Sequence, residues 1–229
     1  MYTKKIEVRD TGVHSVGHNM ELDGLWLSEL EEVPILHFYD WDVPSATFGH
    51  FIQLNEHVHP CEIAFARRPT GGGITFHLWD LAFSFLMPGN RCSNNTLENY
   101  QFVNRVVLAA VQEIFPVKGV LIPESVPAKG TSASFCMARP TVYDAVCDGL
   151  KIAGAAQRRT KRGYLHQGTI SLAAPDLELL SRILIDHETL VQAMADHSFA
   201  PLGKCSAETL SEARRELKTQ LAEKFTSAV

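Results

Sequence analysis

The chain has 229 residues, of which 45% are hydrophobic and 21% are charged, a balance typical of a folded globular protein and not of a disordered one. This length is enough for one large domain with a complete hydrophobic core. The formal net charge of −5 gives no general attraction to nucleic acid, and no apolar run is long enough to span a membrane. We therefore expect neither nucleic acid nor a membrane as a partner.

The cysteine pattern predicts free thiols. The five cysteines are odd in number and form no Cys-x-x-Cys pair, so their spacing indicates neither a zinc ribbon nor a redox pair. The chain begins without a signal-peptide pattern, which favours a reducing cytoplasm. His57, His59 and Cys61 lie close together in sequence, but no second pair of ligands accompanies them. We predict no metal site.

The hydrophobic pattern predicts short strands mixed with amphipathic helices. In chain order, the predicted helices are 19–32, 96–115, 177–185, 188–195 and 206–225, the first capped by Asn19 and the second by Asn95. The predicted strands are 35–39, 46–48, 65–68, 74–76, 82–86, 142–147, 151–157 and 166–172. Because the β-α-β alternation is not regular, we predict an α+β fold with a mixed, largely antiparallel sheet and surrounding helices. The expected organisation is a single catalytic domain over residues 1–229, without an accessory C-terminal domain.

Three consecutive glycines follow a pair of arginines. Gly71, Gly72 and Gly73 allow the backbone to approach a ligand closely and to adopt positive φ. Arg67 and Arg68 place positive charge beside them. The segment suits a carboxylate, a phosphate or a developing oxyanion, although glycine runs also occur in plain tight turns. No Gly-Lys-Ser/Thr follows, so the segment is not a Walker P-loop.

A lysine and a cysteine further along the chain are candidates for catalysis. Lys151 follows a predicted hairpin turn at Asp148 and Gly149, and its next neighbours are apolar. If its ammonium points into a pocket, it needs an anionic partner or must lose its proton; an exposed lysine is the alternative. Cys136 can carry an acyl group if nearby positive charge, such as Arg139, holds it as a thiolate. An inert buried thiol is the alternative.

A dense basic run follows the lysine. Arg158, Arg159, Lys161 and Arg162 lie within six residues of one another. Such a run can dock an acidic partner or a nucleotide phosphate, but charge runs are also typical of solvated loops. The sequence leaves both interpretations open.

In chain order, these segments resemble the biotin/lipoate protein ligase and octanoyltransferase superfamily. The resemblance begins at the NMELD segment that starts with Asn19 and includes the RRPTGGGITFH segment that ends at His77. The KIAGAAQ segment that starts at Lys151 follows about eighty residues after the glycines, and the HQGTI segment that starts at His166 closes the match. Two motifs in this order are specific to the lipoyl branches of the superfamily.

The resemblance implies a mixed sheet with helices packed around a pocket for the acyl group. Lys151 would hold and polarise the acyl carbonyl, and Cys136 would be the nucleophile. The residues expected to bind the substrate are Arg68, Gly71, Gly72, Gly73, His77, Gly154 and His166.

The leading function implied by the resemblance is protein acylation. The chain would be a lipoyl/octanoyl protein acyltransferase that takes an octanoyl or lipoyl group from acyl carrier protein as a Cys136 thioester. It would pass the group to a lysine of a lipoyl domain, in a dehydrogenase E2 subunit or the glycine-cleavage carrier. This route needs no cofactor.

Two alternatives remain open. An ATP-dependent lipoate-protein ligase would use ATP and magnesium, would work through lipoyl-AMP, and would leave Cys136 without a role. A lipoyl-binding protein without catalytic activity would keep the pocket but transfer nothing.

Overall fold

The computed structural model describes residues 6–61, 63–127 and 134–229, and its framework is a seven-stranded sheet. In spatial order the strands are β1 (Glu7–His14), β2 (Ile35–Trp41), β6 (Asp80–Pro88), β10 (Gly163–Ser171), β9 (Leu150–Arg159), β8 (Ala145–Cys147) and β7 (Gly119–Leu121). Strands β1 and β2 are parallel, and the other neighbouring pairs are antiparallel. The long β6, β10 and β9 strands form the centre of the sheet.

A second, smaller sheet carries the glycine turn. Its strands are β4 (Ala64–Arg67), β3 (Ser45–Phe48) and β5 (Ile74–Phe76), with β3 in the middle. Strand β3 is parallel to β4 and antiparallel to β5. The chain between β4 and β5 contains all three glycines, so the small sheet positions this turn from both ends.

Within the described ranges, five α-helices cover the sheets: α1 (Val16–Glu29), α2 (Thr96–Ile114), α3 (Leu177–Ile183), α4 (His187–His197) and α5 (Ala207–Ala228). Helices α2 and α5 contact each other and cover one face of the large sheet. The main core lies between them and the sheet, where Phe85 stacks on Phe225 with ring centroids 4.5 Å apart. Helix α1 contacts β10 and the small sheet, while α3 and α4 share a second core with the small sheet.

The predicted α+β class and mixed, largely antiparallel sheet are confirmed, with corrections to individual elements. Helix α1 begins at Val16 because Ser15 caps it by accepting a hydrogen bond from the N–H of His18. Asn19 is not the cap: it is buried within the helix, and its side chain donates to the Asp40 carbonyl.

Two strands were not predicted, and one was predicted too long. The alternation in β1 is weak and β7 has only three residues, so neither gave a clear pattern. The strand predicted at 142–147 is reduced to Ala145–Cys147, because Tyr143 has a φ of 64° and interrupts it. Within the described ranges, no helix is long and apolar enough to cross a membrane.

Candidate active site

A small pocket of about 30 Å³ lies where α1, the small sheet and strands β9 and β10 meet. We call it the reactive pocket. Four of the predicted site residues line it: Arg68, His77, Cys136 and Gly154. The other residues around it are Met20, Tyr39, Thr47, Thr75, Ala155, Ala156, Gln167, Gly168 and Thr169.

Cys136 presents its thiol to this pocket from a short 3-10 turn. The sulfur lies 3.9 Å from Nη2 of Arg68 and accepts hydrogen bonds from the Thr75 hydroxyl and the Gly73 N–H. Burial alone raises the pKa of the thiol. The charges of Arg68 and Lys151, together with the two hydrogen bonds, outweigh burial and hold the pKa of Cys136 below its ordinary value. The surroundings therefore favour the thiolate.

Another cysteine shows the opposite behaviour. Cys147 is buried, and burial followed by the nearby Asp148 carboxylate raises the pKa of its thiol. All five cysteines are free. The sequence singled out Cys136 among them, and the charges around its sulfur distinguish it physically from Cys147.

The glycine turn holds Arg68 against the thiol. Arg68 is 6% exposed, and its Nη2 donates to the carbonyls of Gly71 at 2.9 Å and Gly73 at 2.7 Å. Gly72 has a φ of +83°, and a Cβ there would lie 3.5 Å from the sulfur of Cys136. The turn therefore fixes the guanidinium through its carbonyl groups, in addition to supplying the Gly73 N–H.

Gly73 allows two chain segments to approach each other. A Cβ at this position would lie 2.4 Å from the carbonyl oxygen of Ser134, too close for any side chain. Ile74 forms an isolated parallel bridge with Phe135, which brings the residue before Cys136 against the small sheet. At Gly71, by contrast, an added Cβ would meet no heavy atom of the described residues within 4 Å.

Lys151 lies in a buried ion pair. The Lys151 side chain is 4% exposed, and its Nζ lies 2.7 Å from Oδ2 of Asp144, which is fully buried. The same nitrogen donates to the main-chain carbonyl of Cys136 at 2.8 Å. A Cβ at Gly154 would lie 2.5 Å from Nζ and 2.7 Å from Asp144 Oδ1. Glycine at this position therefore leaves the space that the ion pair occupies.

Asp144 is held by several donors besides the lysine. Its Oδ2 accepts from the N–H of Thr141 at 2.7 Å and from the Thr141 hydroxyl at 2.8 Å, and its Oδ1 accepts from the Tyr100 hydroxyl at 2.6 Å. Burial and the Asp144 carboxylate raise the pKa of Tyr100 well above its ordinary value, so the tyrosine remains a donor. The carboxylate is therefore fixed as the partner of Lys151.

His77 forms a second buried network beside the pocket. Its Nδ1 lies 2.8 Å from Oδ2 of Asp80, and its Nε2 lies 2.8 Å from the Thr47 hydroxyl. Because the carboxylate only accepts, Nδ1 donates to it. Thr47 in turn accepts from Nη1 of Arg68 at 2.8 Å. The histidine is thereby connected to the arginine that contacts the thiol.

A third network supports the floor of the pocket. Gln167 donates to Oδ2 of Asp23 at 2.6 Å and accepts from the Thr70 hydroxyl at 2.7 Å. Oδ1 of the same carboxylate lies 2.8 Å from Nδ1 of His37. Gln167 therefore joins the glycine turn to α1, a role that its place in the HQGTI segment did not predict.

His166 is not brought together with the other predicted residues. Its side chain lies on the opposite face of β10 from that of its neighbour Gln167. Its ring packs near Phe83 and Tyr100, on the face covered by α2. Its Nδ1 donates to the amide oxygen of Gln157 at 2.9 Å. Burial lowers the pKa of His166 to about 3, so the ring is neutral. The expectation that it binds substrate finds no support in this position.

The expectation for Arg139 needs correction, and one residue of the basic run has a structural contact. Arg139 donates to the carbonyl of Val126, and the cations that act on the thiol are Arg68 and Lys151. In the basic run, Arg159 donates to the Asn94 carbonyl at 2.8 Å, so it holds a neighbouring loop.

The residues of the candidate site that the sequence did not predict are mainly partners of charged groups. A buried lysine requires an anion, so the prediction for Lys151 could have led to Asp144, seven residues earlier in the chain. The Thr75 hydroxyl had no comparable signal. Among the described residues, no group of three or more His, Cys, Asp or Glu side chains is arranged to hold a metal ion.

Comparison with known families agrees with this geometry. The sequence profile described as the lipoyl protein ligase A/B catalytic domain matches residues 16–226, which is most of the chain. The chain belongs to this family. The predicted family, together with the predicted class of acyltransferase or ligase enzyme, is therefore confirmed.

Relatives within the family include octanoyltransferases. Octanoyltransferase LipM of Bacillus subtilis is 29% identical over 199 residues, which cover 81% of this chain and 72% of the relative. Octanoyltransferase LipM of Halalkalibacterium halodurans is 28% identical over 177 residues, which cover 71% of this chain and 64% of the relative.

Solved structures of ligases share the fold. A lipoate-protein ligase A bound with ATP superimposes with a TM-score of 0.68 at 22% identity, and a bi-partite lipoate protein ligase from Thermoplasma acidophilum with 0.66 at 21%. Each alignment covers 98% of this chain and 84% of the other.

Proposed function

We propose that this protein is an octanoyltransferase that forms a thioester on Cys136 and then acylates a lysine of a lipoyl domain. The observation that carries the proposal is the environment of the thiol. Its pKa is held below the ordinary value by Arg68 and Lys151, and the same side chain lines the reactive pocket. The relatives named octanoyltransferase LipM support this choice of acyl group.

The first step exchanges one thioester for another. The Cys136 thiolate attacks the carbonyl carbon of an acyl group carried by acyl carrier protein, and a tetrahedral oxyanion forms. The bond from that carbon to the carrier sulfur then breaks, and the carrier leaves as a thiol after taking a proton from water. The reaction needs no nucleotide, metal or redox partner.

Positive charge near the sulfur stabilises this intermediate. Lys151 and Arg68 lie close enough to act on the thiol, so they also attract the negative charge that develops on the adjacent carbonyl oxygen. Asp144 binds Lys151 at 2.7 Å and fixes the position of its ammonium. The glycine turn fixes Arg68 in the same way through its carbonyls.

The second step forms the amide. The neutral amine of the acceptor lysine attacks the Cys136 thioester, the carbon–sulfur bond breaks, and Cys136 is released as a thiolate. The amine proton passes to solvent. The acceptor is a lipoyl domain, the class of protein named with the T. acidophilum ligase, which was studied with its E2 lipoyl domain. The cycle requires a free thiol and therefore a reducing compartment such as the cytoplasm.

The second candidate is an ATP-dependent lipoate ligase. It is favoured by the shared fold with a lipoate-protein ligase A that is bound with ATP. In that case ATP and magnesium would be required, and Cys136 would have no role in transfer. The low pKa of the thiol would then serve no purpose in the reaction, which is why we place this function second.

Intact-mass spectrometry with octanoyl acyl carrier protein, in the absence of ATP, separates the two functions. The transferase gains the mass of one octanoyl group, and Cys136→Ser abolishes the gain. Cys61→Ser is the matched control, because Cys61 is also partly buried and lies outside the reactive pocket. No adduct on the unaltered protein, combined with ATP-dependent lipoylation of a lipoyl domain, contradicts the proposal.

A further inference from the structure

A buried pair of a histidine and an aspartate borders the reactive pocket. His77 and Thr47 line this pocket together with Cys136. The side chains of His77 and Asp80 are each 7% exposed, and Nδ1 of the histidine donates to Oδ2 of the carboxylate at 2.8 Å. The Thr169 hydroxyl donates to the same oxygen. A carboxylate that holds one ring nitrogen in this way leaves the other nitrogen oriented to exchange a proton.

The other ring nitrogen lies against a hydroxyl that is connected to the nucleophile. Nε2 of His77 lies 2.8 Å from the Thr47 hydroxyl. Nη1 of Arg68 donates to the same hydroxyl at 2.8 Å, and Nη2 of Arg68 lies 3.9 Å from the sulfur of Cys136. One guanidinium group therefore joins the hydroxyl to the thiol. An amine that enters this pocket to attack a Cys136 thioester arrives beside the Thr47 oxygen.

The contact between Thr47 and His77 is compatible with both protonation states of the ring. Arg68 only donates, so it occupies one lone pair of the Thr47 oxygen and leaves the hydroxyl hydrogen and the second lone pair. When Nε2 carries no proton, Thr47 donates to it. When Nε2 carries a proton, it donates to the second lone pair of Thr47. Uptake of a proton by the ring therefore breaks no hydrogen bond.

Two neighbours stabilise a positive charge on the ring. Oδ1 of Asp80 has no hydrogen-bond partner within the part of the chain that the structure describes, so an imidazolium would neutralise a buried carboxylate that is incompletely paired. The ring of Trp41 stacks on that of His77, with centroids 4.6 Å apart and an angle of 21° between the planes. An aromatic face attracts a cation, so both contacts favour the protonated ring.

We propose that His77 accepts the proton that the lysine of the lipoyl domain loses when it attacks the Cys136 thioester, with the Thr47 hydroxyl as the relay. This inference rests on the transferase function. The lysine nitrogen bonds to the carbonyl carbon and gives a proton to the Thr47 oxygen, while the hydroxyl hydrogen passes to Nε2 of His77. The carbon–sulfur bond then breaks, and Cys136 leaves as a thiolate. The imidazolium finally releases its proton to solvent.

The proposal confines the role of His77 to the second step. In the first step Cys136 attacks as a thiolate, so no base is needed. In the second step the nucleophile is a strongly basic amine, which holds its protons firmly and benefits from a base in the transition state. The two steps therefore differ in their dependence on the histidine.

The test starts from isolated protein that carries an octanoyl group on Cys136, mixed either with a lipoyl domain or with hydroxylamine. Hydroxylamine is a weakly basic amine that loses its proton readily to water, so its attack does not depend on a base. His77→Gln retains a donor for Asp80 but takes up no proton. It lowers transfer to the lipoyl domain by about 100-fold, whereas release by hydroxylamine changes less than about threefold. His14→Gln, at a partly buried position outside the reactive pocket, alters neither rate.

A second pair of variants tests the relay without replacing the histidine. Thr47→Val removes the hydroxyl and produces the same selective loss, in which transfer to the lipoyl domain slows much more than release by hydroxylamine. Thr47→Ser restores the hydroxyl, and transfer is at least about tenfold faster than in Thr47→Val. Because each rate is measured on protein that is already acylated, a change in the first step does not affect the comparison.

The outcomes separate failure of the inference from failure of the function. Equal slowing of both reactions in His77→Gln means that the histidine only positions the thioester, and this contradicts the proposal. Transfer at the unaltered rate in His77→Gln contradicts it as well. Failure of the function appears earlier, because octanoyl acyl carrier protein then leaves no octanoyl group on Cys136 of the unaltered protein.

Discussion

On the pocket face of the β9–β10 pair, Gly154 lies opposite Thr169 and leaves space for a buried ion pair. On the face that α2 covers, Gly168 leaves space for the ring of Phe83, which lies 2.5 Å from where its Cβ would be. The two glycines are close in space and belong to neighbouring motifs. One leaves space for the ion pair beside Cys136 and the other leaves space for a ring of the core, so membership of a motif does not by itself identify a candidate site residue.

The largest expected effect is on the pocket face, at the ion pair itself. Asp144→Asn leaves the buried ammonium of Lys151 without its counter-charge, and we expect it to lower the free energy of unfolding by about 3–5 kcal/mol. Urea denaturation measures this change. Asp148→Asn, at an exposed position of the same hairpin, is the control and should cost less than about 0.5 kcal/mol. Equal costs at the two positions would show that the pair is not important for folding.

The second effect compares the two glycines directly. Gly154→Ala displaces Lys151 and should slow Cys136 acylation by about 100-fold, which corresponds to about 2.7 kcal/mol in the barrier. Gly168 borders the reactive pocket with main-chain atoms alone, and an added Cβ would meet the Phe83 ring. Gly168→Ala therefore overpacks the core and should cost about 1–3 kcal/mol of stability, with activity per folded molecule within about threefold of the unaltered protein. Acylation rates normalised to the folded fraction provide the test. A slow but fully folded Gly168→Ala would remove the distinction between the faces.

The third effect belongs to the helix face and depends on pH. Burial lowers the pKa of His166 to about 3, from 6.5. Below pH 6.5 the unfolded chain therefore binds a proton that the folded chain does not, and stability falls as the pH falls toward 3. Between pH 7 and pH 5 this histidine accounts for a loss of about 2 kcal/mol. In His166→Gln, stability should decline less steeply over this range. An unchanged pH dependence would indicate that the ring has the same pKa in the folded and the unfolded protein.

The smallest effect concerns the charge beside the thiol. Arg68→Met removes a positive charge that lowers the pKa of Cys136. We expect alkylation of Cys136 by iodoacetamide to move to higher pH and to slow about tenfold at pH 7. Arg68→Lys keeps the charge and is the matched control. A profile unaltered in Arg68→Met would mean that Lys151 and the hydrogen bonds control the thiol without Arg68.

The sequence predicted the strands and helices with strong periodicity and the residues with distinctive motifs. Helix α2, for example, begins after Asn95 as its capping residue indicates. Asn19 misled the prediction because a buried asparagine within a helix and a capping asparagine are the same letter in the sequence. The carbonyl of Asp40, which explains its burial, comes from a distant strand.

The same limit applies to the site. Gly71, Gly72, Gly73, Lys151 and Cys136 could be proposed as candidates because their motifs are local. Which face of β10 carries His166 depends on strand register, and a shift of one residue reverses it. The contribution of Thr75 depends on a contact with a turn about sixty residues away, which no local pattern records.

The segment after α4 contacts both the turn that carries Cys136 and the strand that carries Lys151. Ser198 donates to the Met137 carbonyl at 2.7 Å, and the N–H of Phe199 donates to the Lys151 carbonyl at 2.8 Å. Both residues also line a cavity of about 960 Å³ beside the reactive pocket. A ligand that shifts this segment would therefore change the position of the nucleophile. If the ligand changes the equilibrium constant for acylation of Cys136, acylation changes the affinity for that ligand by the same factor.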